Sequence, residues 1–196
     1  MKVIDLFSGL GGFSEAFAQD PIWDVLRIEN NHLLADVPHT MIADALTLDP
    51  AGFDCDLLLA SPPCTEFSLA YNAPQSIASR RNEEYQPNMD LVKCALEWDR
   101  SIKPKFFLME NVSGSSKYFT PLVKKITTIG PFHLYGRFPR FEMPQGWSHS
   151  KTAPKEIEFD FEHPLRANYR GKIPLALSEK VKETFEGTSS LMEWIL

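Results

Sequence analysis

Residues 2–13 constrain this chain more than any other stretch. Lys2 to Phe7 is a short run of buried-strand residues that breaks on Ser8-Gly9-Leu10-Gly11-Gly12 and gives way to a helix expected over Phe13–Gln19. A strand that feeds a helix through a glycine-rich turn is the first half of a βα unit, and such units assemble into parallel sheets covered by helices. The pattern recurs. Apolar runs over Asp24–Glu29, Thr40–Ala43, Asp56–Ala60 and Phe106–Met109 read as strands two to five. Met89–Ile102 carries helical spacing (Leu91, Cys94, Ala95, Trp98, Ile102) and is stopped by Pro104. The expected fold class is therefore α/β, a doubly wound and mostly parallel sheet.

The remaining segments divide the chain further. Thr65–Asn88 is long and polar with few periodic apolar residues, which predicts a mobile, functional loop. Phe119–Ile129 is expected to be a helix. From Pro131 to Arg170 the sequence is dense in aromatics, prolines and charges. Short strands are expected there, an antiparallel pair around Phe132–Leu134 and Phe138–Met143, followed by an irregular stretch. Leu175–Phe185 reads as a closing helix behind Pro174. The expected organisation is a main domain over 1–130, a reduced irregular lobe over 131–170 and a closing segment over 171–196 that packs back on the main domain.

Composition narrows the function classes. With 196 residues, 43% of them hydrophobic, the chain can bury one core and not two full ones. No apolar run approaches the ~20 residues needed to span a bilayer, and the start lacks the pattern of a secretory leader. No membrane association and a cytoplasmic location are the expectation. Cys55, Cys64 and Cys94 form an odd set without a CxxC pair, which argues against a disulfide framework or a metal site. The net charge of −6 is not the basic footprint of an autonomous nucleic-acid binder. Basic clusters at Arg80–Arg81, Lys124–Lys125, Arg137 with Arg140, and Arg166 with Arg170 and Lys172 are more often solvated surface than phosphate contacts.

Three constellations carry chemistry. The glycine turn leaves helix N-terminal amides facing a ligand, and its spacing is not the GxGxxG of dinucleotide binders, so a nicotinamide cofactor is disfavoured. Glu29, ending the next strand, is placed to accept from both ribose hydroxyls of a nucleoside; Asp44, after strand three, could take an adenine amino group. Ser61-Pro62-Pro63-Cys64 ends strand four, at the sheet edge where ligands collect. Two prolines fix the backbone ahead of the Cys64 thiol. Cys55 and Cys94 are assigned to packing, the commoner fate of a lone cysteine. Glu110 and Asn111 follow strand five, which puts an acid at the same edge as Cys64.

In order along the chain, Asp5–Gly12 (DLFSGLGG), Ser61–Cys64 (SPPC) followed by Phe67-Ser68, and Pro104–Val112 (PKFFLMENV) resemble the first, fourth and sixth motifs of the DNA (cytosine-5)-methyltransferase family. The resemblance covers roughly the first 115 residues. It implies a Rossmann-like class I methyltransferase fold, S-adenosylmethionine as methyl donor, DNA as partner, Cys64 as nucleophile and Glu110 as the acid that binds cytosine. Residues expected on the donor are Asp5, Phe7, Ser8, Gly9, Gly11, Glu29, Asn30, Asp44, Ala45 and Pro62; Asn111 and Arg137 join Cys64 and Glu110 in the catalytic set. Arg137 enters because Gly136-Arg137-Phe138-Pro139-Arg140 is the nearest match to the family's QxRxR block, at different spacing. Thr65 stands where the family has Gln, and Gly171-Lys172-Ile173-Pro174 resembles its closing Gly-Asn-x-Val-Pro turn with Lys for Asn. The sequence contains no long insertion for target recognition, as in compact methylases of phage and prophage genomes.

The implied chemistry suits these residue types. Carbon 5 of cytosine is a poor nucleophile until a thiolate adds to carbon 6, and cysteine is the intrinsically nucleophilic choice. Charge then moves towards N3, where a protonated carboxyl group would lower the barrier. A cytosine inside a duplex would first have to be flipped out. The loop 65–88 would serve as the lid. Two other readings stand beside this one: the same chemistry on RNA or a free cytosine nucleotide, and a catalytically silent regulatory subunit. A partner subunit or homodimer could supply the missing recognition surface.

Overall fold

The strand that opens the sequence becomes the middle of the sheet. In the computed structural model, which describes residues 1–150 and 152–193 with side chains as far as Thr188, β1 (Lys2–Leu6) pairs in parallel with β2 (Asp24–Glu29) on one side and β4 (Leu57–Ala60) on the other. β3 (Thr40–Ile42) extends the first side and β5 (Phe106–Asn111) the second. β6 (Lys125–Ile129) and β7 (Phe132–Arg137) form a hairpin whose second strand runs antiparallel to β5. The order is β3-β2-β1-β4-β5-β7-β6. This is the expected α/β arrangement, a doubly wound and mostly parallel sheet with an antiparallel hairpin at one edge. Residues 194–196 of the expected closing segment lie outside the described residues.

Period-2 alternation along the strands builds a core on each face. Val3, Leu57, Leu59, Leu108 and Leu134 meet Phe17 of α1 (Glu15–Ala18) and Leu177, Val181 and Phe185 of α7 (Leu175–Glu193). Ile4, Leu58, Ala60, Phe107, Met109 and Tyr135 meet Val92, Ala95 and Trp98, with α2 (Pro74–Arg80) preceding and α3 (Asp90–Ile102) carrying those last three. Each fully buried Leu or Phe contributes roughly 2–3 kcal/mol of transfer free energy, so the two faces supply the bulk of the drive to fold. The direction in which the chain moves along the sheet reverses between β1 and β4, and the crevice at their carboxyl ends is where such sheets receive ligands.

Four expectations are corrected. The helix expected over Phe119–Ile129 is instead one turn, α4 (Ser116–Phe119), followed by β6. Leu122, Val123, Ile126 and Ile129 fit helical spacing, but the β-branched run Ile126-Thr127-Thr128-Ile129 before a Gly130-Pro131 turn favours a strand. Phe138–Met143 forms no strand. Pro139 and Pro144 remove ladder donors, and Phe138, Phe141 and Met143 pack against the core while β7 pairs with β6 and β5. The boundary expected at 130 falls inside the β6–β7 hairpin, so residues 132–137 belong to the main sheet. The segment 65–88 also carries more structure than a mobile loop, including α2. Farther on, α5 (Lys155–Glu158) and α6 (Arg166–Gly171) are short. Among the described residues no helix is long and apolar enough to cross a membrane.

Candidate active site

The glycine turn is fastened to the end of β2. Phe7 and Ser8 donate their amides to the Ile28 carbonyl (2.9 and 3.3 Å), and the Gly9 amide donates to Glu29 Oε2 (2.8 Å). The other Glu29 oxygen accepts from the Asn31 amide at 2.9 Å. The buried carboxylate thus bridges two backbone amides, and each of its oxygens keeps a lone pair for a ligand hydroxyl. Gly9 and Gly11 have φ of +53° and +72°, a region that side chains bearing a Cβ enter at a cost of about 1–2 kcal/mol.

Beneath the turn lies a buried ionic network that the sequence reading did not include. Ser14 Oγ donates to Asp5 Oδ2 (2.7 Å), and Arg27 donates through Nε to Ser14 Oγ (2.9 Å), through one terminal nitrogen to the Gly11 carbonyl (2.9 Å) and through the other to the Pro38 carbonyl (2.8 Å). Burial pushes the Asp5 carboxyl up to about 6 despite the Ser14 bond and the Arg27 charge. Burial likewise lowers Arg27 against the pull of Asp5 and Glu15. Desolvation outweighs attraction on both sides of the pair, as expected for an ion pair taken out of water. An arginine inside the apolar run Val25-Leu26-Arg27-Ile28 was the available signal.

Cys64 leaves the sheet two strands away from Glu29. The Ser61 amide donates to the Leu6 carbonyl (3.1 Å), and Pro62-Pro63 leads into a 3-10 turn over Cys64–Glu66. Asn111, fully buried at the end of β5, donates Nδ2 to the Pro62 carbonyl at 2.8 Å and accepts from the Val112 amide. It therefore ties the β5 end to the turn that carries the thiol. Glu110, 5% exposed, precedes it on the strand and faces the other way.

Phe7, Ser8, Gly9, Glu29, Asn30, Asp44, Ala45, Pro62, Cys64 and Glu110 line one cleft of about 220 Å³. Those ten are expected site residues brought together. Asp5 and Gly11 do not line it; they act from below, Asp5 through Ser14 and Gly11 through its carbonyl on Arg27. Asn111 acts through Pro62. Arg137 does not belong to the site. Because β7 runs antiparallel to β5, Arg137 pairs in register with Phe107 at the opposite sheet edge, where it bonds Asp99 (3.0 Å) and the Pro104 carbonyl (2.7 Å).

The far wall comes from residues that sequence reasoning left out of the site. Leu91 of α3, Ala167 and Asn168 of α6, and the strap Gly171-Lys172-Ile173 complete the cleft. The strap sits directly on the glycine turn: a Cβ on Gly12 would overlap the Ile173 carbonyl oxygen and come within 2.9 Å of the Ile173 nitrogen. Lys172 is paired with Glu15 at 2.9 Å. The resemblance of 171–174 to a closing turn was the signal for this strap.

The family of C-5 cytosine-specific DNA methylases matches residues 1–129, the stretch that holds the glycine turn, Cys64 and Glu110. The chain belongs to that family. It is similar to the type II methyltransferase M.DdeI of Desulfomicrobium norvegicum, 32% identical over 58% of this chain and 28% of that protein. It is also similar to M.NgoFVII of Neisseria gonorrhoeae, 27% identical over 83% of this chain and 46% of that protein. The chain therefore spans less than half the length of either relative. Among solved structures, an Escherichia coli prophage-encoded putative DNA modification methyltransferase is 21% identical and covers 70% of this chain and 46% of its own, with a TM-score of 0.45.

S-adenosylmethionine is the cofactor of this methylase family, and the cleft fits it. The Ser8 and Ser61 hydroxyl oxygens are buried in the cleft lining without a hydrogen-bond partner among the described residues. A buried hydroxyl left in that state costs about 1–3 kcal/mol, which a polar ligand would recover. Glu29 would hold the ribose hydroxyls, Asp44 the adenine amino group, and Phe7, Ile28, Ala43, Ala45 and Leu91 the apolar faces of the base.

Proposed function

We propose that this methylase transfers a methyl group from S-adenosylmethionine to carbon 5 of cytosine in DNA through a covalent adduct on Cys64. The observation that carries the reading is that Cys64 and Glu110, from the ends of adjacent strands, line the same cleft as the glycine turn and Glu29. A sulfur nucleophile and an acid would then meet a pyrimidine in one cleft, and S-adenosylmethionine, held by the glycine turn and Glu29, would supply the methyl group.

The thiolate of Cys64 forms a bond to carbon 6, and the ring's π electrons move towards N3. Glu110, almost fully buried, gives N3 a proton, which leaves carbon 5 as the nucleophilic carbon of an enamine. Carbon 5 takes the methyl group, the donor being released as S-adenosylhomocysteine. Water in the cleft takes the proton on carbon 5 and carries it to solvent, the C–H electrons restore the double bond as the Cys64 sulfur leaves with its electron pair, and N3 returns its proton to Glu110. Asn111 keeps the thiol in register by holding Pro62. Duplex DNA would present its cytosine by base flipping. The acidic chain supports a further element of the proposal, that a partner subunit or second copy adds the positive surface for DNA. Three cysteines outside any disulfide fit action in the cytoplasm.

The test is incubation with methyl-labelled S-adenosylmethionine and, separately, duplex DNA, single-stranded DNA, tRNA and cytosine nucleotides. Label is expected in DNA, on carbon 5, and absent with Cys64→Ala. Label confined to tRNA or nucleotides would reassign the substrate, and labelling of DNA by Cys64→Ala would refute the mechanism.

A further inference from the structure

Glu66 lies two residues past the nucleophile and does not line the cleft. One of its carboxylate oxygens, Oε2, accepts two hydrogen bonds, from the Tyr85 hydroxyl at 2.7 Å and from the Asn88 backbone amide at 3.0 Å. Both donors sit at the far end of the segment that begins at Phe67, and Asn88 in turn accepts from the Asp90 amide at the start of α3 (2.7 Å). A single oxygen therefore joins the turn carrying Cys64 to the entry of α3. The near end of the segment is held separately: Phe67 is 1% exposed, meets Phe119 edge-on at 5.0 Å, and its amide closes the Cys64 turn at 3.0 Å.

Between its two ends the segment is fastened to itself. Arg80 donates to the Tyr71 carbonyl at 2.6 Å and lies 3.9 Å over the Tyr71 ring, which brackets α2. Its far end, by contrast, returns to the Cys64 turn through the two bonds to Glu66. Partial burial and the Glu66 hydrogen bond push the Tyr85 phenol up to about 12, so it stays a donor across the neutral range.

We infer that Glu66 is a positioning residue that clasps residues 67–88 to the Cys64 turn, so that the nucleophile and the segment beside it move as one body when substrate enters. The inference rests on the proposed function for its kinetic consequence and on geometry alone for the clasp. Loss of the clasp frees the far end of the segment and lets the Cys64 turn sample orientations unfit for attack. Misplacement by about 1 Å can cost ~100-fold in rate.

The test compares Glu66→Ala, Glu66→Gln and Tyr85→Phe with the wild-type chain by four measurements: amide hydrogen exchange over 67–88, thermal unfolding, S-adenosylhomocysteine affinity, and the rate of covalent capture on 5-fluorocytosine DNA with S-adenosylmethionine. For Glu66→Ala, exchange over 67–88 is expected to rise about 10-fold or more and capture at saturating DNA to slow about 10-fold or more, with cofactor affinity within about 2-fold. Glu66→Gln, whose carboxamide oxygen can accept both bonds, should return capture to within about 3-fold of wild type, and Tyr85→Phe should fall between. Equal capture rates for Glu66→Ala and wild type would overturn the inference. So would failure of Glu66→Gln to rescue, or a loss explained wholly by cofactor affinity or unfolding. If the wild-type chain captures no DNA, the proposed function fails, and exchange alone judges the clasp: unchanged exchange in Glu66→Ala overturns it.

Discussion

Replacing Gly12 by alanine puts a methyl group where the strap 171–173 already lies. The new Cβ would overlap the Ile173 carbonyl oxygen and stand 2.9 Å from both the Ile173 nitrogen and the Lys172 Cγ. Two of those three atoms are backbone, so the strap must retreat by about 1 Å to reach ordinary contact, a case of overpacking that typically costs 1–3 kcal/mol. Ile173, 3% exposed, would lose part of its packing against the core, and the half-exposed Lys172–Glu15 pair adds less than about 1 kcal/mol. A total of roughly 2–3 kcal/mol follows, which moves a urea midpoint by about 1–2 M for ordinary slopes. Because the strap is also a wall of the cleft, S-adenosylhomocysteine affinity measured by calorimetry should fall at least about 10-fold, equivalent to 1.4 kcal/mol. Gly187→Ala is the matched control. Gly187 is exposed on α7 with nothing within 4 Å of a new Cβ, so that substitution should stabilise by about 0.5–1 kcal/mol and leave affinity unchanged. If Gly12→Ala keeps the wild-type midpoint and affinity, the strap does not bear on the turn and the reasoning is refuted.

Asp5 makes stability depend on pH with a definite sign. Its carboxyl is raised from 3.8 to about 6 in the folded chain, so the folded state holds a proton that the unfolded state has released across that window. Its contribution is fully present below the lower value and is lost as pH rises through the upper one, on the order of 3 kcal/mol at most. Asp5→Asn should therefore gain stability relative to wild type between pH 4 and 6, read from urea midpoints at several pH values; a pH-independent difference would contradict the assignment. Glu29→Gln loses a charged acceptor and offers an amide group to one of two backbone donors, so calorimetry should show S-adenosylhomocysteine binding weakened about 10–100-fold. Arg137→Ala, at the far sheet edge, should cost about 0–1 kcal/mol and leave methyl transfer unchanged; a lost rate in a folded variant would return Arg137 to the site.

Much of this architecture was legible because local signals agreed with the global fold. The five parallel strands are short, mostly apolar runs, and Glu29, Cys64 and Glu110, at or just beyond their carboxyl ends, fall on the ligand edge because strand polarity leaves no other place for them. Signals failed where two periods fit one stretch, as at 119–129, where helical spacing and a β-branched run coincide. Arg137 was misplaced for a different reason: a motif match carries no strand direction, and one antiparallel strand sends its end to the wrong edge. The Asp5–Ser14–Arg27 network and the clasp at Glu66 join residues distant in sequence through single oxygens. No spacing rule encodes such contacts, although a charged residue inside an apolar strand is a hint that one exists.

The central claim is a bond between one sulfur and carbon 6 of cytosine. It is tested most directly by incubating the chain with S-adenosylmethionine and DNA carrying 5-fluorocytosine, then digesting the product and locating the attached nucleotide by mass. Fluorine blocks loss of the group on carbon 5, so the adduct should persist, sit on Cys64 and be absent from Cys64→Ala. Methylation of ordinary DNA with no trapped adduct, or an adduct on Cys55 or Cys94, would contradict the account.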